Sequence, residues 1–415
     1  MRVLRGVLLV PLLLLWTLSA RAQPEGEGVQ AEPQTRAEIL KQARERKSEE
    51  LEPYRISGAE RRVQFLETWR LPRRLFTKGF GGFRPVIGGM PSGSGFVGGG
   101  GYITGYNSQL LQFTANARYS SRGFTAYDAG LLILPRATSL SPVQGHITWG
   151  RRDFSSLRFF GLGPESSADD RTTYRLEDNA IEMGVDAWVG RVTELGVSVG
   201  WLTSKPGPAT SGSSLDGRFD PGAIPAFGVE TDYLVYGGHA VVRLLEESVA
   251  PAVGLTLGVD VERYDDTDSD RYDFTRLVAD VQAHIPVGHR NRMIALHFRS
   301  SQSTGDGGGI VPFHLMETIG GANSIRGFKE YRFRDLRNLY LNAEYRWEVW
   351  TYLDLAVFYD AGKVFSDADD FDFSDLESGY GFGLRGHGPS GMVLRFDMSR
   401  SNEGFILHIG SGPSF

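Results

Sequence analysis

No cysteine occurs anywhere in the 415 residues, which closes disulfide scaffolds, thiolate-bound metals and a lipid-anchored cysteine together. Basic charge is also scarce: 44 Lys and Arg face 50 Asp and Glu, a net charge of −6. That balance offers no basic face and argues against a nucleic-acid partner. Long apolar runs are missing as well. Only Val7 to Leu18 approaches one, too short to span a bilayer comfortably, and no later stretch comes near eighteen apolar residues, so no transmembrane helix is expected. H-E-x-x-H and Walker patterns are absent, and the eight histidines are scattered. The sequence therefore indicates no zinc site, no catalytic triad, no cofactor and no enzymatic activity.

The one short apolar run has its own meaning. Arg2 and Arg5 precede it and Ala20-Arg21-Ala22 follow it, the pattern of a cleaved secretory signal over residues 1–22. Its removal takes three arginines and moves the charge from −6 to −9. Residues 23–78 read as a polar and helical segment lying in the periplasm or the lumen. Thr35 with Glu38 forms a capping box that opens a charged helix to about Glu52, which Pro53 stops. Ser57 with Glu60 repeats the signal for a second short helix carrying Arg61, Arg62, Arg70, Arg73 and Arg74.

From residue 79 the period changes to two. Leu111, Phe113, Ala115, Ala117 and Tyr119 share one strand face, with Gln112, Thr114, Asn116 and Arg118 on the other. Near the end Met392, Leu394, Phe396 and Met398 oppose Val393, Arg395, Asp397 and Ser399. The pattern predicts sixteen strands, from 83–90 through 338–349 and 351–365 to 403–411. Connections after even strands are short, whereas those after odd strands include long ones at 154–172, 205–227, 304–337 and 366–378. Tryptophans and tyrosines such as Trp149, Trp188, Trp201, Tyr345, Trp347 and Trp350 fall near strand ends or on greasy faces. An even strand count, loops long on one side only and aromatic girdles predict an all-β fold: a 16-stranded antiparallel transmembrane β-barrel over 79–415, with a short N-terminal helical segment. A soluble secreted β-protein is the competing class, and it lacks any catalytic constellation here.

Two patterns read as plain structure. GFGLRG at 381–386 matches a dinucleotide fingerprint literally but lies in a strand with no helix after it, so its glycines serve bending or close backbone approach. The acidic loops at Asp265–Asp270 and Asp367–Glu377 suit calcium or magnesium in donor type, but their spacing matches no calcium loop. Loops solvated and spread by repulsion are the expectation.

The stretch from Gly320 to Gly362 carries more. Alternation points Leu339, Leu341, Ala343, Tyr345, Trp347 and Val349 to lipid, and so sends Tyr340, Asn342, Glu344, Arg346 and Glu348 into the lumen. On the next strand Asp354, Ala356, Phe358, Asp360 and Gly362 face inward. Two lumenal carboxylates, Glu344 and Asp360, would hold a guanidinium between them, and Arg326 lies on the long loop upstream. GGANSIRGF at 320–328, EYR at 344–346, FYDAG at 358–362 and the terminal Phe415 together resemble the bacterial surface antigen superfamily, the barrels of BamA and TamA. The resemblance implies an inward-folded loop, here about 304–337, with Ile325, Arg326, Gly327 and Phe328 at its tip. Its arginine would engage Glu344 and Asp360, with Phe358 and Gly362 completing the lumenal set and Gly327 letting the tip turn. BamA- and TamA-type proteins carry periplasmic POTRA domains, and the 56 residues from Gln23 to Lys78 show helix signals and no strand pair. The resemblance is thus to a short branch without them. It implies an exported outer-membrane barrel in contact with outer-membrane lipid and lipopolysaccharide. Such a barrel would assist protein insertion, translocation or lipid organisation, with unfolded or translocating outer-membrane proteins as partners. A structural or pore-forming barrel plugged by its loop is the alternative. The sequence names no substrate and no oligomeric state.

Overall fold

A computed structural model describes residues 36–50, 79–105, 108–136, 142–246, 253–350, 352–388 and 391–410. The chain divides into two compact units, residues 1–64 and 65–415. In the first, Arg36–Glu50 forms helix α1. Its sequence, RAEILKQARERKSEE, has no continuous apolar stripe, and the exposed Lys41 and Glu45 pair one turn apart at 4.0 Å. The expected second helix from Ser57, the arginines around it, the 78/79 boundary, residues 1–22 and Phe415 lie outside the described residues.

The second unit is built from strands β1 (Phe83–Ile87), β2 (Val97–Thr104), β3 (Leu111–Ser120), β4 (Thr125–Ile133), β5 (Val143–Phe159), β6 (Thr172–Val189), β7 (Thr193–Pro208), β8 (Thr231–Glu246), β9 (Val253–Asp266), β10 (Phe274–Val287), β11 (His289–Gly305), β12 (Glu317–Ile319), β13 (Phe333–Asp335), β14 (Arg337–Trp350), β15 (Leu353–Phe365), β16 (Glu377–Gly388), β17 (Gly391–Ser401) and β18 (Gly404–Gly410). Sixteen of them form one antiparallel sheet in sequence order, β11 pairing directly with β14, while β12 and β13 make a separate hairpin inside the β11–β14 loop. The fold is a sixteen-stranded antiparallel β-barrel. Ile181, Met183 and Val185 on β6, and Val197, Val199 and Trp201 on β7, are exposed in the alternating positions that make an apolar outer wall. Their polar neighbours Glu182, Asp186 and Glu194 turn inward, so the lumen is lined with charge.

Where the strands run past the predicted ends, a physical reason is visible. β5 continues to Phe159 through a bulge between Phe154 and Leu157, which breaks the period-two pattern that marks a strand. β7 likewise extends through Pro206 and Pro208 to meet Leu176 and Tyr174 of β6. The extensions carry an apolar cluster, Phe124, Phe154, Phe159, Tyr174, Leu215 and Phe313, that roofs the long-loop end. A second cluster joins Tyr233, Tyr264 and Phe274 to Val311. In both, a residue of the β11–β14 loop is wedged among wall residues, which fixes that loop inside the barrel.

Leu339 differs from its sequence expectation. It is fully buried rather than lipid-facing, although its strand partner Lys363 lies on the same outward side. The β15–β16 loop accounts for this: Asp372 bonds the Lys363 ammonium at 2.5 Å and the Phe373 ring sits 6.4 Å from that of Phe298, so the loop drapes over the wall outside Leu339. The acidic turn after β9 is not spread by repulsion either. Asp266 is buried and accepts from Ser269 Oγ and from the amides of Asp268 and Tyr272, while Arg263 pairs with Asp265, Asp273 and Asp306.

Candidate functional site: the loop tip in the lumen

The β11–β14 loop descends from roots held by arginines. Arg334 donates to the Phe313 carbonyl at 2.6 Å, Arg332 to the Ser166 carbonyl at 2.7 Å and to Glu403 at 2.5 Å, and Glu317 pairs with Arg276 at 2.8 Å. The tip then turns at Gly320 and Gly321, whose φ values of 113° and 95° disfavour any side chain. The Gly321 amide donates back to the Phe328 carbonyl at 3.0 Å, closing the tip on itself. Ile325 and Phe328, both fully buried, pack with Ile319, Phe333, Tyr340 and Val364 and so carry the tip against β14 and β15.

That packing delivers Arg326 to two carboxylates. Its Nε and Nη2 donate to Asp360 Oδ2 and Oδ1, each at 2.7 Å, and its Nη1 donates to Glu344 Oε2 at 2.7 Å. The Arg326 amide adds a bond to Asp360 Oδ2 at 3.1 Å. The guanidinium lies 3.4 Å above the Phe358 ring, so one face stacks on an aromatic while each of its three nitrogens donates to a carboxylate. Burial opposes the charge, but the hydrogen bond and charge of Asp360, then those of Glu344, more than offset it and hold Arg326 firmly protonated.

Gly362 and Gly327 act through missing side chains. A Cβ on Gly362 would lie 2.6 Å from the Tyr340 Cβ, and one on Gly327 would lie 2.7 Å from the Ser401 Cβ and 3.0 Å from the Gly379 Cα. Gly327 keeps a negative φ, so close approach to β16 and β17 is its use, and the turning belongs to Gly320 and Gly321. Gly381 likewise leaves room for the Phe358 ring, whose Cζ would be 2.6 Å from an added Cβ.

The site extends beyond the residues the sequence singles out. Glu344 also accepts from Arg346 Nε at 2.7 Å and from Arg385 Nη2 at 2.9 Å, making it the hub of three guanidinia. Arg385 bonds Asp397 in turn, and Arg395 Nε lies 3.3 Å from Asp397 Oδ2. Asn342 spans wall and tip, donating to Asp360 Oδ1 at 2.8 Å and to the Ser324 carbonyl at 2.5 Å. The tip backbone is bound as well: the Arg326 carbonyl accepts from Ser399 Oγ at 2.5 Å and His408 Nε2 at 2.7 Å, and the Gly327 carbonyl accepts from Ser401 Oγ at 2.7 Å. The tip thus joins β14 and β15 to β17 and β18. Strand alternation had turned Arg346, Arg395, Asp397 and Ser399 away from the greasy face, but nothing in it told which charges would pair.

Residues 243–402, which hold the loop, the tip and every strand that grips it except β18, match the Omp85 superfamily domain. This segment is similar to that domain. The fold agrees: BamA from Haemophilus ducreyi lacking POTRA domains 1–3 is similar at a TM-score of 0.58 and 13% identity, covering 79% of this chain and 68% of that one. CdiB from Acinetobacter baumannii is similar at 0.50 and 10% identity, covering 76% of this chain and 56% of that one. No curated protein sequence matches the chain significantly. At these identities the two structures speak for the fold alone, a barrel similar to theirs.

Proposed function

We propose that this barrel assists the insertion or translocation of other proteins at the outer membrane, with unfolded outer-membrane proteins as its partners and outer-membrane lipid and lipopolysaccharide as its surroundings. The observation that carries the reading is the tip of the Omp85 domain latched by Arg326 to the carboxylates of β14 and β15 and by its carbonyls to β17 and β18. Export by a cleaved signal over residues 1–22 and the outer-membrane setting belong to the same reading.

Depletion tests it. Loss of the protein should lower the levels of folded, heat-modifiable outer-membrane proteins, and re-expression of the wild-type chain should restore them while Arg326→Ala restores them poorly. Unchanged levels and intact lipid asymmetry on depletion would sink the assembly reading. The roof of aromatic packing favours a second reading, a barrel plugged by its loop with no assembly role. In planar bilayers that reading expects higher conductance from Arg326→Ala, and equal conductance removes it.

A further inference from the structure

We infer that the lumenal wall of β6, β7 and β8 holds a divalent transition-metal site of the zinc class, with Asp186, Glu194 and His239 as ligands. One ligand atom from each lies within 4.8 Å of the other two. His239 Nε2 is 3.6 Å from Asp186 Oδ1 and 3.5 Å from Glu194 Oε1. Ligands about 2.0–2.2 Å from a tetrahedral ion stand roughly 3.3–3.6 Å apart, so two of the three separations already suit one ion.

The second observation is at Asp186 itself. The residue is 8% exposed, and its Oδ1, the atom turned toward His239, accepts no hydrogen bond among the described residues. A carboxylate oxygen held nine-tenths buried without a donor is costly unless a cation completes it. Its other oxygen is already served: His146 Nδ1 lies 3.2 Å from Asp186 Oδ2, and His146 Nε2 lies 3.3 Å from Glu182 Oε1. Glu194 has the same division of labour, with Oε2 accepting from Arg243 Nη1 at 2.6 Å and Oε1 left facing His239. Each carboxylate thus has one oxygen oriented by a neighbour and one directed into the cluster, the arrangement by which outer partners fix metal ligands.

The backbone is cut to fit both imidazoles. A Cβ on Gly196 would meet His239 Nε2 and Asp186 Oδ1 at 2.6 Å, and one on Gly184 would meet His146 Nε2 at 2.6 Å. Strand register makes the assembly: Gly196 sits between Asp186 and His239 on adjacent strands, and Gly184 sits opposite His146. This is how histidines 93 residues apart, scattered in the sequence, come to face one carboxylate. Imidazole with two carboxylates favours zinc and its first-row neighbours over calcium or magnesium. Bound there, the ion ties three strands together on the lumenal side, near the short β6–β7 turn.

The test uses the full chain purified in detergent without a histidine tag, stripped with chelator and confirmed folded by heat-modifiable migration. Zn(II) titration calorimetry should give one ion per chain, and Co(II) should give the visible bands of a low-symmetry site. Asp186→Asn and His239→Ala should each abolish the stoichiometric site, while Arg243→Ala should weaken it about 10–100-fold. His239 is partly exposed, so its variant reports even where Asp186→Asn misfolds. A folded wild-type chain without a stoichiometric site, or His239→Ala binding as tightly as wild type, overturns the inference.

Discussion

At the scale of single residues, Arg326 is a fork with every tine in use: three nitrogens meet three carboxylate oxygens, and one face lies on Phe358. Arg326→Ala leaves Asp360 buried with only Asn342 and the amide of residue 326 and is expected to cost about 3–5 kcal/mol, the range for breaking one side of a buried ion pair. Arg326→Lys keeps the charge but cannot span both acids, and it should fall between the two. The midpoint of urea-induced loss of heat-modifiable migration measures this, and a lysine variant equal to wild type would show that charge alone suffices. The arginine and its two acids are legible in the sequence, because alternation turns Glu344 and Asp360 inward and the IRGF tip lies upstream of both. Arg385 is not. It sits inside GFGLRG, where glycine spacing invites a different reading, and its pairing with Glu344 reaches across β15 from β16 to β14, a property of the curved wall.

At the scale of elements, the loop is a small packed body more than a strap. Gly327→Ala should push the tip off β16 and β17 at a cost of about 1–3 kcal/mol, since the added methyl meets Ser401 and Gly379 with no flexible neighbour to yield. The same urea midpoint would expose it, and no change would mean the tip is not seated there. His314 supplies a pH lever on the same loop. Burial, and then the charge of Arg334, pushes it down to about 3, and neither ring nitrogen has a hydrogen-bond partner among the described residues. An exposed histidine takes its proton near 6.5, so between these values the opened loop binds more protons than the packed one. Falling pH therefore favours opening, by about 2 kcal/mol near pH 5. Limited proteolysis within residues 306–336 should quicken on acidification in the wild type and much less in His314→Leu; equal pH profiles would remove His314 from the account. The β12–β13 hairpin escaped the sequence reading because three-residue strands carry no periodicity, and their pairing is imposed by the packing of Ile319 and Phe333.

At the scale of the whole molecule, the number and order of wall strands could be read from period-two runs, because one side of each strand must satisfy lipid and the other water. The extensions of β5 and β7 could not, since beyond the bilayer both sides meet loops and the two-solvent rule lapses. Buried Leu339 shows the same limit, its outer side covered by a loop that sequence places only as acidic and long. The tip's reach across the wall also has a mechanical consequence. By bonding β14 and β15 on one side and β17 and β18 on the other, it braces the last five strands into a stiff panel. The opposite border is held more lightly, the Ser92 amide donating to the Glu330 carboxylate of the loop. It begins with the five-residue β1, whose Pro85 cannot donate, paired to the glycine run Gly98–Gly101 of β2. Compliance should therefore be lopsided, and hydrogen exchange should reach the amides of β2 well before those of β17; similar protection on both would mean the strut carries no tension. A wall braced at one border and lightly held at the other should yield first at the lighter one.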